Sequence, residues 1–286
     1  MKTLTVRACV CFIFLAAMAA SAQVADLFDL VRTGTPQAVQ KAIDAGANVN
    51  ARNRDGVSVL MVAAAKSLNP DLIAVLLKDG ADVTARDSNG WTALMYAAAG
   101  RTDARAISLL LKAGESTAER DRFLTTPLMI AAAYNTNPGA IKMLLGSGAD
   151  LKAVDSNGLT ALMHAAKFNQ NPDVISALLS AGADVKARTA DGWTALLFAA
   201  GRNQNLKVLA ALLKGGADLE AADADGSTPL MIAAELNPNP QVTAALISAG
   251  ARVAAKDNQD RTAFDYAQRN PGLRGTAVYQ KLGESR

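Results

Sequence analysis

Seven glycines, Gly46, Gly80, Gly114, Gly148, Gly182, Gly216 and Gly250, recur every 34 residues without slippage along this 286-residue chain. A second comb of the same period runs through Gly56, Gly90, Gly158, Gly192 and Gly226. A fixed period of this length marks a stacked array, in which each unit buries its apolar face against its neighbours. The chain is 50% hydrophobic but only 5% aromatic, and alanine carries much of the apolar share. Few β-branched runs accompany the alanines, so close-packed helices are expected and an all-β fold is not.

Each unit repeats one internal order. A Thr precedes Pro or Ala, then Leu-Met or its equivalent, then Ala-Ala, as in Thr92 to Ala98, Thr126 to Ala132, Thr160 to Ala166, Thr194 to Ala200 and Thr228 to Ala234. The Thr is an N-cap, and Pro127 and Pro229 fall at the first helical position, where a missing N–H costs nothing. About ten residues later Asn69-Pro70, Asn137-Pro138, Asn171-Pro172 and Asn239-Pro240 open a second helix. Its apolar positions, as in Val174-Ile175 and Leu178-Leu179, lie on one face. Glycine ends that helix in a left-handed residue, and Ala-Asp then leads into an extended finger closed by Asp-Ser-Asn-Gly or a near variant.

The pattern Asp-x-x-Gly-x-Thr-(Pro/Ala)-Leu-x-x-Ala-Ala, then a helix, then Gly-Ala-Asp-Val resembles the ankyrin repeat. The resemblance implies an all-α solenoid of stacked helix-turn-helix units with extended, β-hairpin-like fingers. One repeat domain over 23–286 is expected: an N-terminal half-repeat cap over 23–52, six full repeats over 53–256, and a C-terminal capping repeat over 257–286. The ankyrin period is usually 33 residues. The extra residue falls between the two helices, where Asn-Pro replaces the family's usual Gly-His, and the array resembles an exported bacterial subgroup.

Departures from the pattern are informative. The family's first-helix His is here Met61, Met95, Met129, Met163 and Met231, with Leu197 and Asp265 in the remaining units. A methionine row at one register is read as core filling, since the flexible thioether fits irregular gaps. The third unit has Asp121-Arg122-Phe123-Leu124 where the finger glycine belongs, and Gly114-Glu115-Ser116 in place of Gly-Ala-Asp before it. That finger is specialised or has drifted.

The N-terminus is of another kind. Lys2 and Arg7 precede an apolar run from Ala8 to Ala20 and then Ala20-Ser21-Ala22, the three parts of a secretory signal over 1–22 with cleavage after Ala22. The run is too short for the ~20 residues that cross a bilayer, so no stable membrane insertion is expected. The expected location is periplasmic or secreted. Cys9 and Cys11, the only cysteines, leave with the signal, which removes disulfides, thiolate nucleophiles and cysteine-ligated metals from the mature chain. The formal charge of +3, from 29 basic and 26 acidic residues, gives no field that would draw the chain onto nucleic acid.

Catalytic constellations are absent from the sequence. His164 is the only histidine, so neither a Ser-His-Asp arrangement nor a multi-histidine zinc site can form, and its register makes it a packing or groove-lining residue. Asp82, Asp150, Asp184 and Asp218 recur as turn residues, and no phosphate-cradling loop is present. No cofactor is expected and the chain is not read as an enzyme. In ankyrin arrays the finger tips and the exposed side of the first helices form a concave groove that binds proteins. The resemblance therefore implies a protein-binding scaffold, expected as a monomer, with a structural or protective envelope role as the alternative. Its candidate contact residues are Trp91, Arg122, Phe123, Leu159 and Trp193 on the fingers and Tyr134 and Lys167 near the helix ends. Trp91 and Trp193 share one register, and two roles stand open for them: anchors for a partner, or packing between fingers.

Overall fold

A computed structural model describes residues 27–66, 69–100 and 104–284 of the chain. The expected secretory signal over 1–22 lies outside the described residues. Helices alternate in pairs: Val59–Lys66 with Asp71–Lys78, Ala93–Ala99 with Ala104–Lys112, Pro127–Tyr134 with Pro138–Gly146, Ala161–Phe168 with Pro172–Ser180, Ala195–Arg202 with Leu206–Lys214, and Pro229–Leu236 with Pro240–Ser248. A shorter pair, Ala263–Ala267 and Ala277–Glu284, ends the chain. At the other end residues 27–33 are helical and precede Pro36–Asp44, with Leu27, Val31 and Val39 fully buried. The N-terminal cap is thus a helix pair rather than the expected half unit.

The caps follow the sequence. Thr92, Thr126, Thr160, Thr194 and Thr228 hold extended backbone angles and accept the amide of the third helical residue. In three of these units that residue is a methionine whose Sδ accepts the cap's own amide at 3.5 Å, as Met129 does from Thr126, Met163 from Thr160 and Met231 from Thr228. A thioether thus fills the place that Glu or Gln takes in a capping box. The methionines are also core, each at most 1% exposed. In the second helices Asn137, Asn171, Asn205 and Asn239 cap through Oδ1.

First helices are apolar over most of their surface because neighbours cover most of it. In Pro127–Tyr134 only Tyr134 is exposed. Second helices bury one stripe, such as Val174, Ile175 and Leu178. The fingers are turns rather than hairpins: among the described residues no named strand forms, and one isolated bridge joins Arg52 and Ser58. Each finger is closed by an amide-to-carbonyl bond four residues on, as from Asp87 to Trp91, Asp155 to Leu159 and Thr189 to Trp193. The finger aspartates tighten this turn: Asp155 Oδ1 accepts the amides of Asn157 and Leu159 at 2.8 and 2.9 Å.

A buried asparagine ladder ties successive repeats. Asn169 Nδ2 donates to the carbonyls of Ala132 and Asn135, Asn203 to those of Ala166 and Asn169, Asn237 to those of Ala200 and Asn203, and Asn270 to those of Ala234 and Asn237. Each Oδ1 accepts an amide two residues on, so every hydrogen-bonding group of these side chains is used. Successive repeats of the second unit are thus joined by a polar asparagine ladder as well as by the methionine row in the core.

The chain divides between Glu119 and Arg120 into two compact units. The first carries the Glu115 substitution noted above. Its carboxylate is 8% exposed, accepts the Leu94 amide at 2.9 Å through Oε1, and leaves Oε2 buried with no partner. Burial pushes its pKa up to about 7 against hydrogen bonds from Thr92 and Leu94 and the charge of Arg86. Arg86 is itself paired with Glu119 and donates to the Gly90 carbonyl.

Candidate functional site

In the second unit the first helices Ala161–Phe168 and Ala195–Arg202 end beside the fingers 155–159 and 189–193, and a cavity of about 200 Å³ opens between them. Asn157, Leu159, Lys167, Thr189, Asp191, Trp193, Phe198 and Arg202 line it. Trp193 leans on Phe198, ring centroids 4.9 Å apart at 46°. Lys167 Nζ sits 4.9 Å from the Phe168 ring centroid and 5.4 Å from that of Phe198, so one cation bridges two rings. Tyr134 stacks on Phe168 at 6.0 Å and 27°. With exposures of 53% and 42%, Tyr134 and Phe168 extend the apolar surface beyond the cavity.

His164 lies under this surface, its ring 6.3 Å from Phe168 and its Nε2 3.0 Å from Asp155 Oδ2. Burial lowers its pKa, against the opposing pull of Asp155. At neutral pH it is therefore an uncharged donor to Asp155, and the positive charge at the cavity belongs to Lys167 and Arg202. The packing and groove-lining readings of His164 merge: the side chain orders a finger aspartate and supports an exposed ring.

Finger 121–125 differs from the others. Leu124 occupies the register of the finger glycines and takes their left-handed angle, φ 61°. This conformation costs a side chain with a Cβ about 1–2 kcal/mol. Phe123 and Leu124 are 52% and 47% exposed, and the Arg122 guanidinium lies 4.8 Å from the Phe123 ring centroid. Asp260 adopts the same angle, φ 59°, at that register in the last repeat.

The candidate contact residues therefore separate. Lys167 and Trp193 meet at one cavity, Tyr134 joins it through Phe168, and Arg122 and Phe123 form an exposed pair on their own finger. Leu159 is only 8% exposed, so it lines the cavity from a largely buried position rather than standing out on its finger. Trp91 belongs to the first unit, half-buried edge-on against Tyr96 at 5.2 Å, and the Tyr96 hydroxyl donates to Asp87 at 2.8 Å. Neither tryptophan stands free in solvent: each packs on an aromatic ring of the first helix of its own repeat, and Trp193 also lines the cavity with Asn157 and Leu159 of the preceding finger. Phe198 was not among the candidate contact residues. Its role as the ring shared by Trp193 and Lys167 has no linear signature, because the residues meet through the fold. Among the described residues no cluster of His, Cys, Asp or Glu is arranged to hold a metal, and no helix is long and apolar enough to cross a membrane.

A family model described as ankyrin repeats, in three copies, matches residues 27–121, 128–223 and 197–278. No curated protein matches the chain. Together with the 34-residue comb, the paired helices and the repeat-to-repeat packing, the match assigns the architecture as an ankyrin solenoid, a scaffold for protein interaction, and the chain belongs to the ankyrin repeat family.

Proposed function

We propose that this chain is an exported, non-enzymatic scaffold that binds a protein partner through the face of its second unit formed by fingers 155–159 and 189–193 and the ends of helices Ala161–Phe168 and Ala195–Arg202. The observation that carries the reading is the cavity in which Trp193, Phe198 and Lys167 converge beside exposed Tyr134 and Phe168. Exposed aromatics grouped around a cation are what interface anchors require, whereas scattered single aromatics need no explanation. The strained, apolar finger at Phe123-Leu124 supports the same unit as the working surface, since strain is retained where it serves a contact. Export rests on Lys2, Arg7, the short apolar run and Ala20-Ser21-Ala22. No stable membrane insertion, no nucleic acid and a monomeric state complete the proposal.

Crosslinking in the native envelope fraction, followed by affinity measurement on the captured partner, tests it. Trp193→Ala should weaken binding tenfold or more, equivalent to about 1.4 kcal/mol. Equal affinity per folded molecule would refute the site. Mass spectrometry should find the mature chain beginning at Gln23, and an intact Met1 on exported protein would refute the signal.

A further inference from the structure

The cations of this face have no carboxylate partners. Elsewhere Arg52, Arg105, Arg252 and Arg261 each pair with an acidic side chain. Lys167 and Arg202 line the cavity without an ion pair among the described residues. Lys167 is half-buried and held over two aromatic rings. Asp191 is the one acidic residue in the lining, and neutral His164 adds no charge. The site therefore combines an excess of positive charge with an apolar wall of Trp193, Phe198 and Leu159.

Resting on the binding face proposed above, we infer that its occupant is an acidic, apolar peptide segment, which sets a carboxylate against Lys167 and Arg202 and a large apolar side chain against Trp193 and Phe198. A carboxylate meeting a partly desolvated ammonium makes a charge-assisted bond, stronger than the same pair in bulk water. A cationic ligand is disfavoured, because Lys167 already lies over the Phe198 ring that would receive it. A nucleic acid strand needs a continuous cationic track, and here two cations face a finger row that includes exposed Asp191 and Asp225.

A randomised 12-residue peptide display library, selected on the intact chain, tests the inference. Selected sequences should be enriched in Asp or Glu beside Leu, Phe or Trp. Their synthetic forms should lose at least tenfold in affinity with Lys167→Glu/Arg202→Glu, and selection on that double variant should favour Lys or Arg instead. Circular dichroism of the variant should match the parent, both positions being on the face and outside the buried core. Peptides lost on Trp193→Ala but indifferent to the charge reversal would overturn the acidic assignment while leaving the face as the binding site. Peptides indifferent to Trp193→Ala as well, no enrichment at all, or tighter binding of a 12-nucleotide single strand than of any selected peptide would overturn both readings.

Discussion

Replacing Glu115 by Gln should stabilise the first unit at alkaline pH and remove most of its pH dependence. In the folded chain the carboxyl titrates near 7, against an ordinary value of 4.5, because burial disfavours the charged form. Below about pH 4.5 both folded and unfolded chains hold the proton, and the site carries no penalty. Between 4.5 and 7 the unfolded chain ionises first, so stability falls as pH rises. Above 7 the full difference applies, and at 1.36 kcal/mol per pKa unit it amounts to about 3 kcal/mol. The charge of Arg86 relieves it only in part, and its guanidinium is paired with Glu119. Gln keeps the acceptor for the Leu94 amide and leaves the unpartnered Oε2 position uncharged. Urea titrations at pH 5 and pH 8.5 are the assay. The parent should lose about 2–3 kcal/mol across that interval through the transition of its first unit, and Glu115→Gln should lose little. A parent whose stability is flat over this range, or a Gln variant that keeps the parent's slope, would refute the reasoning.

Leu124→Gly should raise stability by about 1 kcal/mol by relieving the left-handed leucine, while weakening partner binding; a lower melting temperature would show that the angle is not strained. Asn203→Ala removes three hydrogen bonds in the buried ladder and should cost about 2–4 kcal/mol in urea unfolding, against less than about 0.5 kcal/mol for Gln204→Ala on the surface beside it. Thr243 is fully buried with an unpartnered hydroxyl, so Thr243→Val should be stabilising by about 1 kcal/mol, and a destabilised variant would reveal a hydrogen bond at that Oγ1.

Much of the fold was legible because the repeat writes the same local physics many times. Threonine caps, asparagine caps and left-handed glycines each act within four residues, and all sit where the combs place them. The asparagine ladder escaped notice for the opposite reason. Asn169, Asn203 and Asn237 bond to carbonyls 34 and 37 residues earlier, and a side chain two places before a helix cap looks from the sequence like a loop residue. Glu115 stood out as a break in the pattern, but its burial and its bond to the Leu94 amide, 21 residues earlier, have no local signature. At the candidate site Tyr134 and Lys167 were visible as residues near the ends of the first helices. The burial of Leu159 has no local signature, since its register-mate Trp193 is only half-buried.

The ladder gives the second unit a growing end. Every Nδ2 donor in it points toward the repeat already synthesised, so a chain emerging N-terminus first presents each new asparagine with carbonyls that are in place to receive it. An array halted after any repeat ends in acceptors, which water satisfies at little cost. Assembly from the other end would form the same bonds only once the earlier carbonyls arrive. A ribosome-bound chain can therefore add its asparagine bonds one repeat at a time, while the apolar face of its last repeat stays open until the next one stacks on it.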